Sequence, residues 1–403
     1  MGWRGGFASG LPKGARAAAS VAMPHHPTLT AILSLAAIAI AASAPRLSAA
    51  DYFVYYGSSN VGAGNGISLG HFDSDTGVLS APVLAAQAEA PSFLTMSADG
   101  KHLYAVWEKA AQVAAYAIDG QTGALTLLNK VGCGGVGPCY ISLDQTGHFA
   151  LVANYDSGSV AVLAIKPDGS LGDQTGFDQH AGKSVDPARQ EGPHAHCVIT
   201  DPTDKFVLCT DLGVDKIYVY KFDSATGKIT PNAPAFGTVK PGSGPRHVKF
   251  HPSGKVLYCV NEMGGTITAF NWDAESGAMT EFQNISTLPA DFKEFNKDAE
   301  IMFDPSGSFL YASARGHDAI AVFAINTKTF ALSLVQDIPS GGKTPRYFGF
   351  DPTGKWIISG HQDSNNVQVF RVDGSTGKLT PQGSPIAAPA PICMLFLPAP
   401  AAK

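Results

Sequence analysis

The chain has 403 residues, 45% of them hydrophobic, 9% aromatic and 15% charged, with a formal charge of −5. That composition excludes a disordered chain, a coiled coil and a collagen-like rod, and it supplies enough apolar residue for a large core. The 28 basic residues are outnumbered by 33 acidic ones and form no Lys/Arg block, which argues against a nucleic-acid partner.

The first fifty residues are of a different kind. They carry Arg4, Lys13, Arg16 and Arg46 and no acid, so the remainder has 24 basic against 33 acidic residues, or −9. Leu29 to Ala44 is an uncharged run of sixteen residues, and Ser48-Ala49-Ala50 offers a small-residue exit just before Asp51. A basic start, an apolar middle and a small-residue exit read as a secretory signal over 1–50, with Met23 as an alternative start. The competing reading is an uncleaved anchor, for which sixteen residues fall short of the roughly twenty that span a bilayer. The expectation is an exported, soluble protein of residues 51–403 without a membrane partner after cleavage.

From Asp51 onward one unit recurs. A first hairpin reads PSFLTMSADGKHLYAV from Pro91 and PCYISLDQTGHFALVANY from Pro138, then PHAHCVITDPTDKFVLCTD from Pro193 and PRHVKFHPSGKVLYCVNE from Pro245. It returns as DAEIMFDPSGSFLYASAR from Asp298 and PRYFGFDPTGKWIISGHQ from Pro345. An alternating strand and a second turn follow each hairpin. The second turns DSDTG, DGQTG, PDGS, DSATG, DAESG, NTKTF and DGSTG place Gly77, Gly123, Gly169, Gly227, Gly277, Phe330 and Gly377 at spacings of 46 to 58 residues. Short β-branched and apolar runs punctuated by Gly, Pro, Asp and Ser, repeating near every fifty residues, specify four-stranded blades stacked into a propeller. Helical periodicity is nearly absent; only Ala290 to Asn296 reads as a single turn.

Seven second turns stand against six complete first hairpins, and the chain ends explain the difference. Asp51 to Gly57 looks like a second strand without its first, and PICMLFL from Pro391 looks like a first strand with nothing after it. Pairing them predicts a closed, all-β, seven-bladed β-propeller with no exposed sheet edge between its ends.

In such a ring the first strand of each blade lines the channel, so its start shares one rim with the end of the second strand. Strand-one starts supply His194, Arg246, His247 and Arg346; strand-two ends supply Glu108, Asn154, Asp211, Glu262, Arg315 and Gln362. The opposite rim carries Asp-Pro-Ser-Gly-type turns, which are ordinary turn chemistry. Three arginines and several carboxylates on one rim must either pair or meet a ligand. One reading is an ion-pair network joining blades, for which Arg246 and Glu262 of one hairpin are placed. The other is a site for an anionic carboxylate or phosphate substrate. His196 is a second-rank candidate on the face of His194, His317 is left open, and His102, His148 and His251 belong to turn positions. Among six cysteines, Cys197 with Cys209 and Cys133 with Cys139 are candidate bridges; the alternative is buried free thiols. No Cys-x-x-Cys or His-x-x-x-His spacing points to zinc, and no metal or other cofactor is expected.

GPHAH, GPRHVKFHPSGKVLYCVNE, ARGHDAI and TPRYFGFDPTGKW make residues 51–403 resemble the seven-bladed propeller lactonase family. That family includes propeller-type 6-phosphogluconolactonases and carboxymuconate-lactonizing enzymes. The resemblance implies hydrolysis of an anionic sugar lactone at a metal-independent rim site. It implies catalytic roles for His194, Arg246, Glu262 and Arg315, with Glu262 or His194 activating water, and an anion contact for Arg346. His247, Asp211, Asn154 and Gln362 complete the expected substrate contacts. Two alternatives stay open at this point: cycloisomerisation of a muconate, using the same acid/base and arginine chemistry, and a non-catalytic exported platform.

Overall fold

The computed structural model describes residues 51–60 and 65–400; the expected signal segment lies outside the described residues. The described chain forms seven antiparallel sheets arranged as blades, six of them four-stranded. Blade 1 is built from both ends of the propeller. Pro391–Pro398 is its channel strand and pairs antiparallel with Asp51–Ser58, in the register Tyr52↔Pro398 through Gly57↔Cys393. Blades 2 to 7 begin with the channel strands Leu94–Met96, Pro138–Leu143, Ala195–Thr200, Pro245–Phe250, Lys297–Phe303 and Pro345–Phe350. The ring therefore closes by the pairing that the unmatched end segments predict. Ala290 to Asn296 forms only a bend and turn, and a short 3-10 helix at Glu108–Ala110 stands where the sequence shows no helical signal.

The repeated turns explain how blades lock. Gly77 has φ +72°, and a Cβ there would stand 2.5 Å from the Trp356 ring of blade 7. Only glycine gives both the left-handed backbone and the close approach. Trp356 Nε1 donates to Ser74 O at 2.8 Å, while Tyr55, Tyr104 and Tyr311 donate to the corresponding carbonyls of Gly123, Gly169 and Gly377 in the next blade. Each of these rings is buried, so each seam combines an apolar contact worth about 1.5–3 kcal/mol with a satisfied hydroxyl or indole. In blade 6 Phe330 occupies the left-handed position at φ +58° and its carbonyl still receives Tyr258. On the same rim the Asp-x-x-Gly turns of the first hairpins are held by their own carboxylates: Asp351 Oδ1 accepts the Trp356 N–H at 2.8 Å.

All six cysteines are free and buried. Cys197 pairs with Thr210 and Cys209 with Val198, so the two thiols are offset along the hairpin and do not face one another.

Candidate active site

Two positions per blade build the site. The first is created by a β-bulge at the rim end of the channel strand. The ladder steps from Pro138 to Tyr140, from Ala195 to Cys197, from Pro245 to His247 and from Pro345 to Tyr347. Cys139, His196, Arg246 and Arg346 are thus left out of the pairing, and a bulge re-aims the side chain it frees. The second position is the residue after the last turn-side pair of strand two. The pairs Asn154↔Ser159, Asp211↔Lys216 and Asn261↔Thr266 end their ladders, and Tyr155, Leu212 and Glu262 follow them. Glu108 and Arg315 hold the matching places after Trp107↔Gln112 and Ala314↔Ala319.

These positions converge on a cleft of about 240 Å³, lined by Glu108, Cys139, Tyr155, Asp156, Arg189, His196, Glu262, Lys297, Arg315 and Arg346. A larger hollow of about 750 Å³ lies between blades 2 and 3 on the opposite rim. It is lined by ordinary turn residues with His102 and His148, and it gathers no guanidinium.

Glu262 is the hub of the cleft. Its Oε1 accepts Arg189 Nη2 at 2.8 Å, its Oε2 accepts Arg315 Nη2 at 2.7 Å, and Arg246 Nε stands 3.3 Å from Oε2. Burial alone would raise its pKa, but the Arg315 and Arg246 guanidiniums hold the carboxyl well below the usual range. Arg246 is itself pushed down to about 9 by burial and by Arg315 and Arg346, which leaves it charged at neutral pH. Arg315 also donates to the carbonyls of Lys297 and Asp298. The ion-pair network across blades is therefore present, and it sits inside the cleft.

His196 differs from every other histidine here. It is 3% exposed, and neither ring nitrogen has a hydrogen-bond partner among the described residues; Nδ1 is fully buried. Burial first, then Arg246 and His247, push its pKa well below the ordinary value, so the imidazole is neutral. Arg346 carries no ion pair or hydrogen bond among the described residues, and the Lys297 ammonium, likewise without an ion pair there, lies over the Phe295 ring, 5.2 Å from its centroid. Two cations thus face the cleft uncommitted.

The sequence-predicted residues divide. Glu262, Arg315 and Arg346 line the cleft. Arg246 and His247 lie beneath it, 3% and 1% exposed. His194 turns aside, stacking on Tyr155 at 4.5 Å with Nδ1 3.0 Å from the Tyr155 carbonyl. Asp211 is buried, takes the His194 N–H at 2.7 Å and pairs with His180 Nδ1 at 2.6 Å, so it holds the backbone that leads to His196. Asn154 donates to Cys133 O and Ser159 Oγ, and Gln362 lies outside the lining. His317 pairs with Asp337 at 2.7 Å and His251 bonds Gly307 O, both away from the lining. Arg189, Lys297, Tyr155 and Asp156 are cleft residues that the rim reading missed. Arg189 comes from the 180–194 loop, which belongs to no repeat. Tyr155 carried a signal, since it follows Asn154 as Glu262 follows Asn261. Among the described residues no group of three metal-ligating side chains comes together.

The sequence profile described as "Lactonase, 7-bladed beta-propeller" matches residues 53–396. The chain is 35% identical over 348 residues to a 6-phosphogluconolactonase of Bacillus subtilis, covering 86% of this chain and 98% of that one. It is 33% identical over 288 residues to a 6-phosphogluconolactonase of Pectobacterium carotovorum, covering 72% and 82%. The solved periplasmic gluconolactonase of Pseudomonas aeruginosa superposes with a TM-score of 0.82 at 28% identity, covering 87% of this chain and all of the other. With its blade count, its closure and a profile match that spans the propeller, the chain belongs to the seven-bladed β-propeller lactonase family.

Proposed function

We propose that the chain hydrolyses a sugar lactone that bears an anionic group, with His196 as the base. The observation that carries this reading is a neutral, hydrogen-bond-free imidazole in the same small cleft as uncommitted Arg346 and Lys297. His196 takes a proton from water as the water oxygen bonds to the lactone carbonyl carbon. The C=O electron pair moves to oxygen, and Arg315 with Arg346 stabilises the oxyanion. Collapse re-forms the carbonyl and breaks the ring C–O bond; the leaving ring oxygen takes the proton back from the imidazolium, giving the hydroxy acid. Glu262 does not serve as base, because three guanidiniums keep it ionised; it holds Arg189, Arg246 and Arg315 at fixed spacing. Lys297, beside Arg346, receives the substrate's anionic group.

The same reading places the protein outside the cytoplasm. Support comes from the basic start and uncharged run of the first fifty residues and from the periplasmic relative.

The test is turnover of gluconolactone, 6-phosphogluconolactone and a carboxymuconate by the purified protein, corrected for spontaneous reaction and run beside Lys297→Ala. Hydrolysis of the lactones, with the variant's KM raised about tenfold for the phosphorylated one alone, supports the reading. Failure to open either lactone would sink it.

A further inference from the structure

The channel beneath the cleft holds a buried polar chain that the reaction above does not use. A wider bulge in blade 6 steps the ladder from Asp298 to Ile301, freeing Ala299 and Glu300. Glu300 is 1% exposed; its backbone N–H donates to Ser313 Oγ at 3.1 Å, and its Oε1 accepts the Ile301 N–H at 3.0 Å. The same Oε1 lies 3.1 Å from His247 Nδ1. On the far side of that ring, His247 Nε2 lies 3.2 Å from Arg246 Nη1, which also donates to the Ala299 carbonyl. Arg246 then reaches Glu262 through Nε.

The hydrogen-bond directions along this chain are fixed. A guanidinium has only donors, so His247 Nε2 must accept. The imidazole is neutral, and its single proton therefore sits on Nδ1 and is donated to Glu300. We propose that Glu300 is a positioning residue for the cleft: by fixing the tautomer of His247 it fixes how Arg246 presents its guanidinium to Glu262. The proposal rests on the hydrolytic reading only for its kinetic consequence. A protonated or amide side chain at 300 can donate to Nδ1, which sends the ring proton to Nε2 and sets donor against donor at Arg246. Glu300 is faced by Lys249, His247 and Arg246 from blade 5, by the phenols of Tyr140 and Tyr347, and by the thiols of Cys197 and Cys393. Burial raises its pKa against the pull of Lys249 and Arg246. Protonation of Glu300 as pH falls thus becomes an acid limit on kcat above the ordinary carboxylate range.

Imidazole proton–nitrogen correlation spectra of the histidine-labelled protein test the tautomer directly, with the His247 signal identified by its loss in His247→Asn. The expected result is the Nδ1–H form at neutral pH in the wild type and a shift towards Nε2–H in Glu300→Gln. For the same variant we expect kcat lowered about tenfold with KM for the lactone within about twofold, the loss of one charge-assisted contact. An Nε2–H wild-type ring overturns the proposal without any variant having to fold. A wild-type kcat in folded Glu300→Gln overturns the positioning role. If the wild type turns over no lactone, the hydrolytic reading fails while the spectra still decide the tautomer.

Discussion

Glu262→Gln separates a structural hub from a catalytic base. The two short contacts of Glu262, at 2.7 and 2.8 Å, are each worth about 6 kcal/mol of gross attraction at an effective dielectric of about 20. Several kcal/mol of that is offset by the hydration the carboxylate loses on burial. The Arg189 side chain is 29% exposed, so its share is reduced further by solvent screening. The Arg246 and Arg315 side chains are 4% and 9% exposed and would be left side by side without the carboxylate that both contact. Breaking a buried pair costs about 3–5 kcal/mol, and two orphaned guanidiniums put the expected loss at the upper end, about 5 kcal/mol. The amide makes matters worse, because its NH₂ meets a guanidinium donor to donor. Equilibrium urea unfolding measures this as a lowered midpoint at constant slope. The sign with pH follows from the depressed pKa: this stabilisation is present above the unfolded-state value near 4.3 and is lost only as pH falls through the lower folded value. A loss under about 1 kcal/mol, with turnover abolished, would refute the hub argument and make Glu262 a group that acts on the substrate water.

The remaining predictions concern other links of the chain from fold to function. His196→Gln should lower kcat by about 10²–10⁴-fold while leaving the melting temperature near that of the wild type, because the ring has no hydrogen-bond partner to lose; retained turnover would remove it from the mechanism. In the wild type, His196 should stay neutral and impose no loss of activity near pH 6.5, since its pKa is depressed; an acid limit from this group at its ordinary value would contradict the burial argument. Asp298 is buried between Thr287 and Asn296, and its pKa is raised to about 7, chiefly by burial. A raised acid stabilises most below its unfolded value near 3.9, and that stabilisation is lost as pH rises towards 7. Asp298→Asn should therefore flatten the stability curve between about pH 4 and 7 by a few kcal/mol, at ~1.4 kcal/mol per unit; an unchanged slope would refute it. Deleting Pro391 onward removes the channel strand paired with Asp51–Ser58 and uncovers the buried Tyr52, Val54 and Tyr56, so the whole ring should melt earlier. A melting temperature within a degree or two of full length would show that closure contributes little.

The architecture was legible from the sequence because each blade is specified locally. Alternating apolar residues, Asp-capped turns and left-handed glycines at 46- to 58-residue spacing define a four-stranded unit. The mismatch between seven second turns and six first hairpins leaves one way to close the ring, and the Tyr52↔Pro398 register is that closure. Sequence also placed Glu262, Arg315 and Arg346 on one rim, since each sits at a fixed offset from a turn. What alternation cannot show is a bulge, in which one residue leaves the period-two count. That single step aims His196 and Arg346 at the cleft, tucks Arg246 under it and leaves His194 to stack on Tyr155. On strand two, Asn154 and Asn261 close their hairpins, and the cleft residues Tyr155 and Glu262 stand one residue later. Arg189 enters from a loop outside the repeat and Lys297 from the first residue of the blade 6 channel strand, and their approach to the cleft depends on how the blades are set around the ring. Pairing is a property of distance, and only the closed ring sets those distances. The residue types were written in the chain, whereas the tertiary structure decided which charges are spent on Glu262 and which remain for a substrate.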